Sequence, residues 1–210
     1  MVYRLFYWAV RGRGEQIRLF LNELEQDYED VYVTKDLEFP KLKREGSGTL
    51  YFGSVPMLQD VDFKLVQGPA IMNYLGRKHG LMPSDFQAAA KTEAMVLGAE
   101  DMRMAYFRLL GEGDHAAERR SKFVDGDWRE RWLSAWDGLL ELNGGNGYLV
   151  GPSLTQADLA VWDALDAIVT WIEGAEFGTF GRVEKFYDSI RSRPAIAEHL
   201  ASDRRIGKKR

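Results

Sequence analysis

The chain reads as a small α/β domain followed by an all-helical one. Three observations carry this reading. The first eighty residues alternate strand-like and helix-like apolar patterns. A break containing Met82-Pro83-Ser84 falls at residues 81–85. From about Ala88 onward, apolar residues keep returning at helical spacing. A length of 210 residues suits one large or two small domains, and the boundaries read as 1–81 and 88–210.

The elements follow in order. Residues 2–7 are aliphatic and aromatic and form a first strand. Residues 15–26 form a helix, because Ile17, Leu21 and Leu24 fall at i, i+4 and i+7. Val31 and Val33 alternate in a second strand at residues 28–33. Residues 39–51 read as irregular, with Gly46, Ser47 and Gly48 loosening the backbone. Two short strands flank Asp60-Val61-Asp62, a hairpin turn. A helix spans residues 70–79, with Pro69 in its first turn and Gly80 beyond its end. The order from residues alone is βαβ, an irregular stretch, then ββα.

In the second part, Trp128, Trp132 and Trp136 recur every four residues and read as a core stripe on a helix. Gly144, Gly145, Gly147 and Gly151 mark an inter-helix loop that lacks the lysine and spacing of a phosphate loop. Thr155-Gln156-Ala157-Asp158 reads as a capping box opening an apolar helix. Pro194 interrupts the last helical pattern, which restarts at residues 195–200.

Composition narrows the chemistry. With 28 Lys+Arg against 32 Asp+Glu there is no electrostatic footprint for nucleic acid. The basic cluster of Arg204, Arg205, Lys208, Lys209 and Arg210 reads as a solvated tail. The absence of cysteine removes disulfides, thiolate metal sites and cysteine nucleophiles. A reactive sulfur would have to arrive with a substrate. His79, His115 and His199 show no paired spacing, so no metal site is expected. Arg4, Arg11 and Arg13 leave no apolar signal core, and no apolar run reaches the roughly 18–20 residues that span a bilayer. A soluble, cytoplasmic protein without membrane or nucleic-acid partners is expected.

Particular strings go further. Leu5-Phe6-Tyr7-Trp8-Ala9-Val10-Arg11-Gly12-Arg13 resembles the opening of cytosolic glutathione S-transferases of the tyrosine type. Glu38-Phe39-Pro40-Lys41-Leu42-Lys43 is similar to that family's aromatic-x-x-x-Lys segment. Ser54-Val55-Pro56-Met57-Leu58 matches its cis-proline turn, and Gln67-Gly68-Pro69-Ala70-Ile71-Met72-Asn73-Tyr74-Leu75 its Gln-Ser-x-Ala-Ile-x-x-Tyr-Leu stretch. Glu100-Asp101-Met102-Arg103 and the capping box complete the series, nearest to the sigma, pi and mu group. The resemblance implies a thioredoxin-like N-terminal domain of order βαβαββα, an all-α C-terminal domain, a homodimer, and glutathione as co-substrate.

It also implies roles. Tyr7 would stabilise the glutathione thiolate as a hydrogen-bond donor, with Arg13 holding Tyr7 or the thiolate. A hydrogen bond to a charged group contributes about 1.5–3 kcal/mol, or roughly one to two pKa units. Val55, before a cis Pro56, would offer its amide and carbonyl to the cysteinyl backbone as an added strand does. Lys43 and Phe39, the latter in place of a tryptophan, would meet the glycine end. Gln67 and the helix starting at Gly68 would take the γ-glutamyl carboxylate at free amides and a positive dipole end. Here the chain departs from the family. Gly68 replaces a hydroxyl residue, Pro69 has no N–H, and Ser54 replaces a longer amide side chain. Weaker glutathione binding than usual is expected from these changes.

Asp101 matches a carboxylate that reaches the ligand's amino group from the partner subunit, and Phe52 an aromatic key inserted into the partner. Tyr51 competes for the latter role. Trp8, Val10, Phe107, Gly111 and Ile206 would line an electrophile pocket between the domains, with Phe107 and Gly111 one helical turn apart. Gly111 stands where some relatives carry a substrate-polarising tyrosine. The function implied is conjugation of glutathione to small hydrophobic electrophiles in detoxification. The alternatives are a non-catalytic ligand carrier, a crystallin-like structural homologue, or a glutathione-dependent isomerase of the prostaglandin D synthase type.

Overall fold

The structure is a computed structural model that describes residues 2–36, 38–45, 50–111, 113 and 115–207. Gly46, Ser47, Gly48, Lys208, Lys209 and Arg210, singled out above, lie outside the described residues. Contacts divide the chain into two compact units. Residues up to His79 cluster with those from Arg193 onward, and Gly80–Ser192 form the second unit. The closing helix, expected in the helical domain, therefore packs with the first unit.

The first unit follows the order β1 (Tyr3–Tyr7), α1 (Gly12–Glu23), β2 (Tyr28–Tyr32), α2 (Glu38–Glu45), β3 (Met57–Asp60), β4 (Phe63–Val66) and α3 (Gly68–Lys78). The sheet runs β2-β1-β3-β4. β1 pairs parallel to β2 and antiparallel to β3, and β3 pairs antiparallel to β4. β1 is buried along most of its length because it is a central strand. Residues 39–51, irregular from the residues alone, contain α2 instead. Pro40 is harmless there because it sits in the first turn, where its missing N–H has no intrahelical partner.

α9 (Pro194–Ala201) joins this unit through α1. His199 Nε2 lies 3.0 Å from Glu15 Oε1, and Arg193 pairs with Glu23. Arg204 stacks over the Tyr28 ring at 4.2 Å. Glu15 also accepts from Arg18 Nη1 at 3.2 Å, and Arg18 Nε reaches Asp30 at 2.8 Å. Arg18 is fully buried. Burial works against its charge, but Asp30 and Glu15 outweigh it and raise its pKa further.

The second unit contains α4 (Phe86–Phe107), α5 (Ala116–Phe123), a π-helical segment (Val124–Leu133), α6 (Ser134–Leu142), α7 (Gln156–Trp171) and α8 (Gly181–Arg191). α7 is its centre, buried on every side from Gln156 to Asp166. Such all-round burial makes hydrogen-bond partners for the polar groups valuable. Asp163 receives Arg103 Nη2 of α4 at 2.6 Å, and Asp166 receives the Tyr187 hydroxyl at 2.7 Å. The capping box is present in both directions. Asp158 accepts from the Thr155 N–H at 2.7 Å and the Leu149 N–H at 2.8 Å, while burial pushes its carboxyl up to about 6. The three tryptophans are buried, as a core stripe should be. Trp128 and Trp132 lie in the π-helical segment and Trp136 in α6.

Candidate functional site

Strand register gathers three sequence-assigned positions of the first unit at one end of the sheet. Phe6 faces Met57 across β1 and β3, and Met57 faces Val66 across β3 and β4. Tyr7 follows Phe6, Pro56 precedes Met57, and Gln67 follows Val66. These three positions thus lie at one edge of adjacent strands, which run about 4.7–4.9 Å apart.

Tyr7 is buried and rests against the start of α1. The main-chain N–H of Arg13 donates to Tyr7 Oη at 2.9 Å. That bond occupies an acceptor position on the hydroxyl and leaves its proton to be donated elsewhere. Arg13 thus contacts the hydroxyl through its amide, a contact the sequence reading did not foresee. Two glycines permit the approach. A Cβ on Gly12 would lie 2.7 Å from Tyr7 Oη, and one on Gly14 would lie 2.6 Å from Tyr7 Cδ1. Gly12 also has a φ of +41°, a region that favours glycine.

The Val55–Pro56 bond is cis. Val55 is half-buried and Ser54 exposed. α2 places Phe39 and Lys43 one turn apart. The Phe39 ring tilts against Trp8 with centroids 4.9 Å apart, and Lys43 Nζ lies 4.9 Å from the Phe39 centroid. Gly53 admits the lysine stem, since a Cβ there would lie 3.0 Å from Lys43 Cε. Phe39 thus supplies a face for the cation and a wall for Trp8 without an N–H donor.

At the mouth of α3, Gln67 adopts a φ of 74°, rare for a residue with a side chain. Its side chain is exposed, Gly68 opens the helix, and Pro69 occupies the first turn. Gly68 meets the Gln16 side chain arriving from α1.

Val10 is exposed and accepts from Arg18 Nη1 at 3.2 Å through its carbonyl. Ile206 is half-buried in the segment after α9. Phe52 is 71% exposed, with Tyr51 edge-on to it at 6.4 Å. In the second unit, Asp101 lies exposed on α4. Phe107 is the last residue of α4, so Gly111 is not one helical turn along from it. Gly111 lies past the helix end, and its carbonyl accepts from Arg120 Nη2 at 3.5 Å.

Gly14 and Gln16 were missed by the sequence reading. Gly14 leaves a signal there, a glycine in the first turn of a helix; Gln16, between Glu15 and Ile17, leaves none.

Comparisons with known proteins agree with this fold. Residues 3–77 match the family model described as glutathione S-transferase, N-terminal domain. Residues 100–203 match that described as glutathione S-transferase, C-terminal domain. The class-mu 26 kDa isozyme 7 glutathione S-transferase of Fasciola hepatica is 30% identical over 97% of this chain and 90% of its own. Glutathione S-transferase P 1 of Xenopus laevis is 30% identical over 97% and 93%. The solved pi-class glutathione S-transferase of Onchocerca volvulus superposes with a TM-score of 0.83 at 26% identity, covering 95% of this chain and 92% of that one. The chain belongs to the glutathione S-transferase family. Its first unit carries that family's thioredoxin-like domain, and helices make up the second.

Proposed function

We propose that this protein conjugates glutathione to small hydrophobic electrophiles, with Tyr7 as the thiolate-stabilising residue. The observation that carries the reading is the hydrogen bond from the Arg13 amide to Tyr7 Oη, held in a gap that only glycines 12 and 14 leave open. The phenol is fixed by a bond in which its oxygen accepts. A bound thiol loses its proton more readily when the resulting thiolate accepts that hydrogen bond, worth about one to two pKa units. The thiolate then attacks the electrophilic carbon; the carbon–sulfur bond forms as the leaving group departs with its electron pair.

The rest of the site orients the tripeptide. The Val55 main chain takes the cysteinyl backbone, Lys43 over Phe39 the glycine carboxylate, and Gln67 with the start of α3 the γ-glutamyl end. Ser54, which precedes Val55, is assigned to the same ligand. Asp101 is contributed by the partner subunit of a homodimer, with Phe52 as its aromatic key. Trp8, Val10 and Ile206 of the first unit, and Phe107 and Gly111 of the second, are assigned to the electrophile. Detoxification in the cytoplasm is the setting this chemistry fits. No helix among the described residues is long and apolar enough to cross a membrane.

The test is the initial rate of conjugation to an activated chloronitrobenzene. Tyr7→Phe should lower kcat/KM by about ten- to a hundredfold, the rate equivalent of one hydrogen bond to a charged group, with an unchanged melting temperature. Equal rates in both proteins would remove Tyr7 from the mechanism.

A further inference from the structure

Gly68 lacks the hydroxyl that the family pattern carries at the start of α3, and Pro69 offers no amide. The structure shows what stands in that space. A Cβ built on Gly68 would lie 2.9 Å from Gln16 Nε2. The carboxamide of Gln16 therefore sits where a side chain of residue 68 would begin. Gln16 is 1% exposed, and a polar group so deeply placed needs partners. Among the described residues, its hydrogen bond is from Nε2 to the Arg13 carbonyl, at a long 3.3 Å. A carboxamide nitrogen carries two hydrogens, so a second donor remains beside the first turn of α3.

We propose that Gln16 is the side-chain donor to the γ-glutamyl carboxylate of glutathione, taking the place of the hydroxyl missing at residue 68. This rests on the glutathione-binding reading above. The two residues form a complementary pair. Glycine at 68 is the space that the glutamine amide occupies, and the glutamine amide restores the donor that the glycine lacks. Gln16 also ties the pieces of the site together, because the Arg13 residue that accepts from it is the one whose amide holds Tyr7. The loss of affinity that Gly68 alone would impose is then not expected.

The experiment is steady-state kinetics with glutathione and, separately, with cysteinylglycine, a thiol without the γ-glutamyl group. Gln16→Met keeps the side-chain length and removes the donor. It should raise the KM for glutathione by about tenfold, well beyond the change in the KM for cysteinylglycine. Gln16→Glu should raise the glutathione KM further, by setting carboxylate against carboxylate. Gly68→Ser should also raise it, since the new Cβ meets the amide, and Gln16→Ala combined with Gly68→Ser should recover most of the loss. Gln16→Asn, shorter but equally polar, withdraws the donor without asking α1 to bury an unfamiliar group. A normal glutathione KM in both Gln16→Met and Gln16→Asn would overturn the proposal, as would equal losses with the two thiols. Wild-type protein without glutathione turnover or binding would instead overturn the function itself.

Discussion

Gly14 occupies the first turn of α1, where glycine costs about 0.5–1 kcal/mol relative to alanine. Its presence makes sense only against the Tyr7 ring, whose Cδ1 lies 2.6 Å from where the alanine methyl would sit. Gly14→Ala should therefore lower the conjugation rate by about ten- to a hundredfold, since small misplacements of a reacting group carry penalties of that order. In the Tyr7→Phe background the same change should add much less, because it acts through the hydroxyl's position. Additive losses in the double variant would show that Gly14 matters for another reason. Tyr7 itself was proposed from its string of neighbours. The Arg13 contribution was legible only as a charge, because one-letter sequence carries no sign of where a main-chain N–H points.

At the scale of the element, the docking of α9 on α1 depends on a buried acid. Burial raises the Glu15 pKa, but the hydrogen bond and charge of His199, with Arg18 and Arg205, outweigh it and hold the carboxyl below its ordinary 4.5. A carboxyl depressed in the folded state contributes stability above the unfolded pKa, and that contribution is lost as pH falls through the folded value. Glu15→Gln should cost about 3–5 kcal/mol near neutral pH, because it strips a partner from buried Arg18. Its stability should also decline less steeply than that of wild type below pH 4.5. Denaturant titrations at about pH 7 and about pH 4 check both statements, and parallel declines would sink the attribution to Glu15. Sequence alone could not reach this element's place, since Glu15 and His199 are 184 residues apart. The capping box of α7, by contrast, was readable because both partners lie within four consecutive residues.

For the whole molecule, the exposed Phe52 ring is the feature that a homodimer would cover. Phe52→Ser should shift the protein from dimer towards monomer in sedimentation velocity at micromolar concentration. An unshifted dimer would return the key role to Tyr51 or dismiss it. Loss of the dimer should also weaken glutathione binding if Asp101 of the partner subunit completes the site. The order of elements was legible at this scale because strand and helix periods differ and because Gly and Pro punctuate them. Periodicity alone missed α2, because Pro40 and the glycines after it masked a short helix; the βαβαββα order implied by the family resemblance contained it.

By itself, the sequence determined the two-part α/β and all-α plan and the family, and it proposed Tyr7, Val55, Pro56 and Gln67 as site residues. Each of these is written in local periodicity or in strings of a few residues. The tertiary structure decided that the closing helix returns to the first unit, that the Arg13 amide holds Tyr7, that Gly111 lies beyond the end of α4, and that Gln16 fills the space Gly68 leaves. Those are matters of which backbone groups and side chains meet across long stretches of chain. They are set by packing and hydrogen-bond geometry that no local pattern encodes.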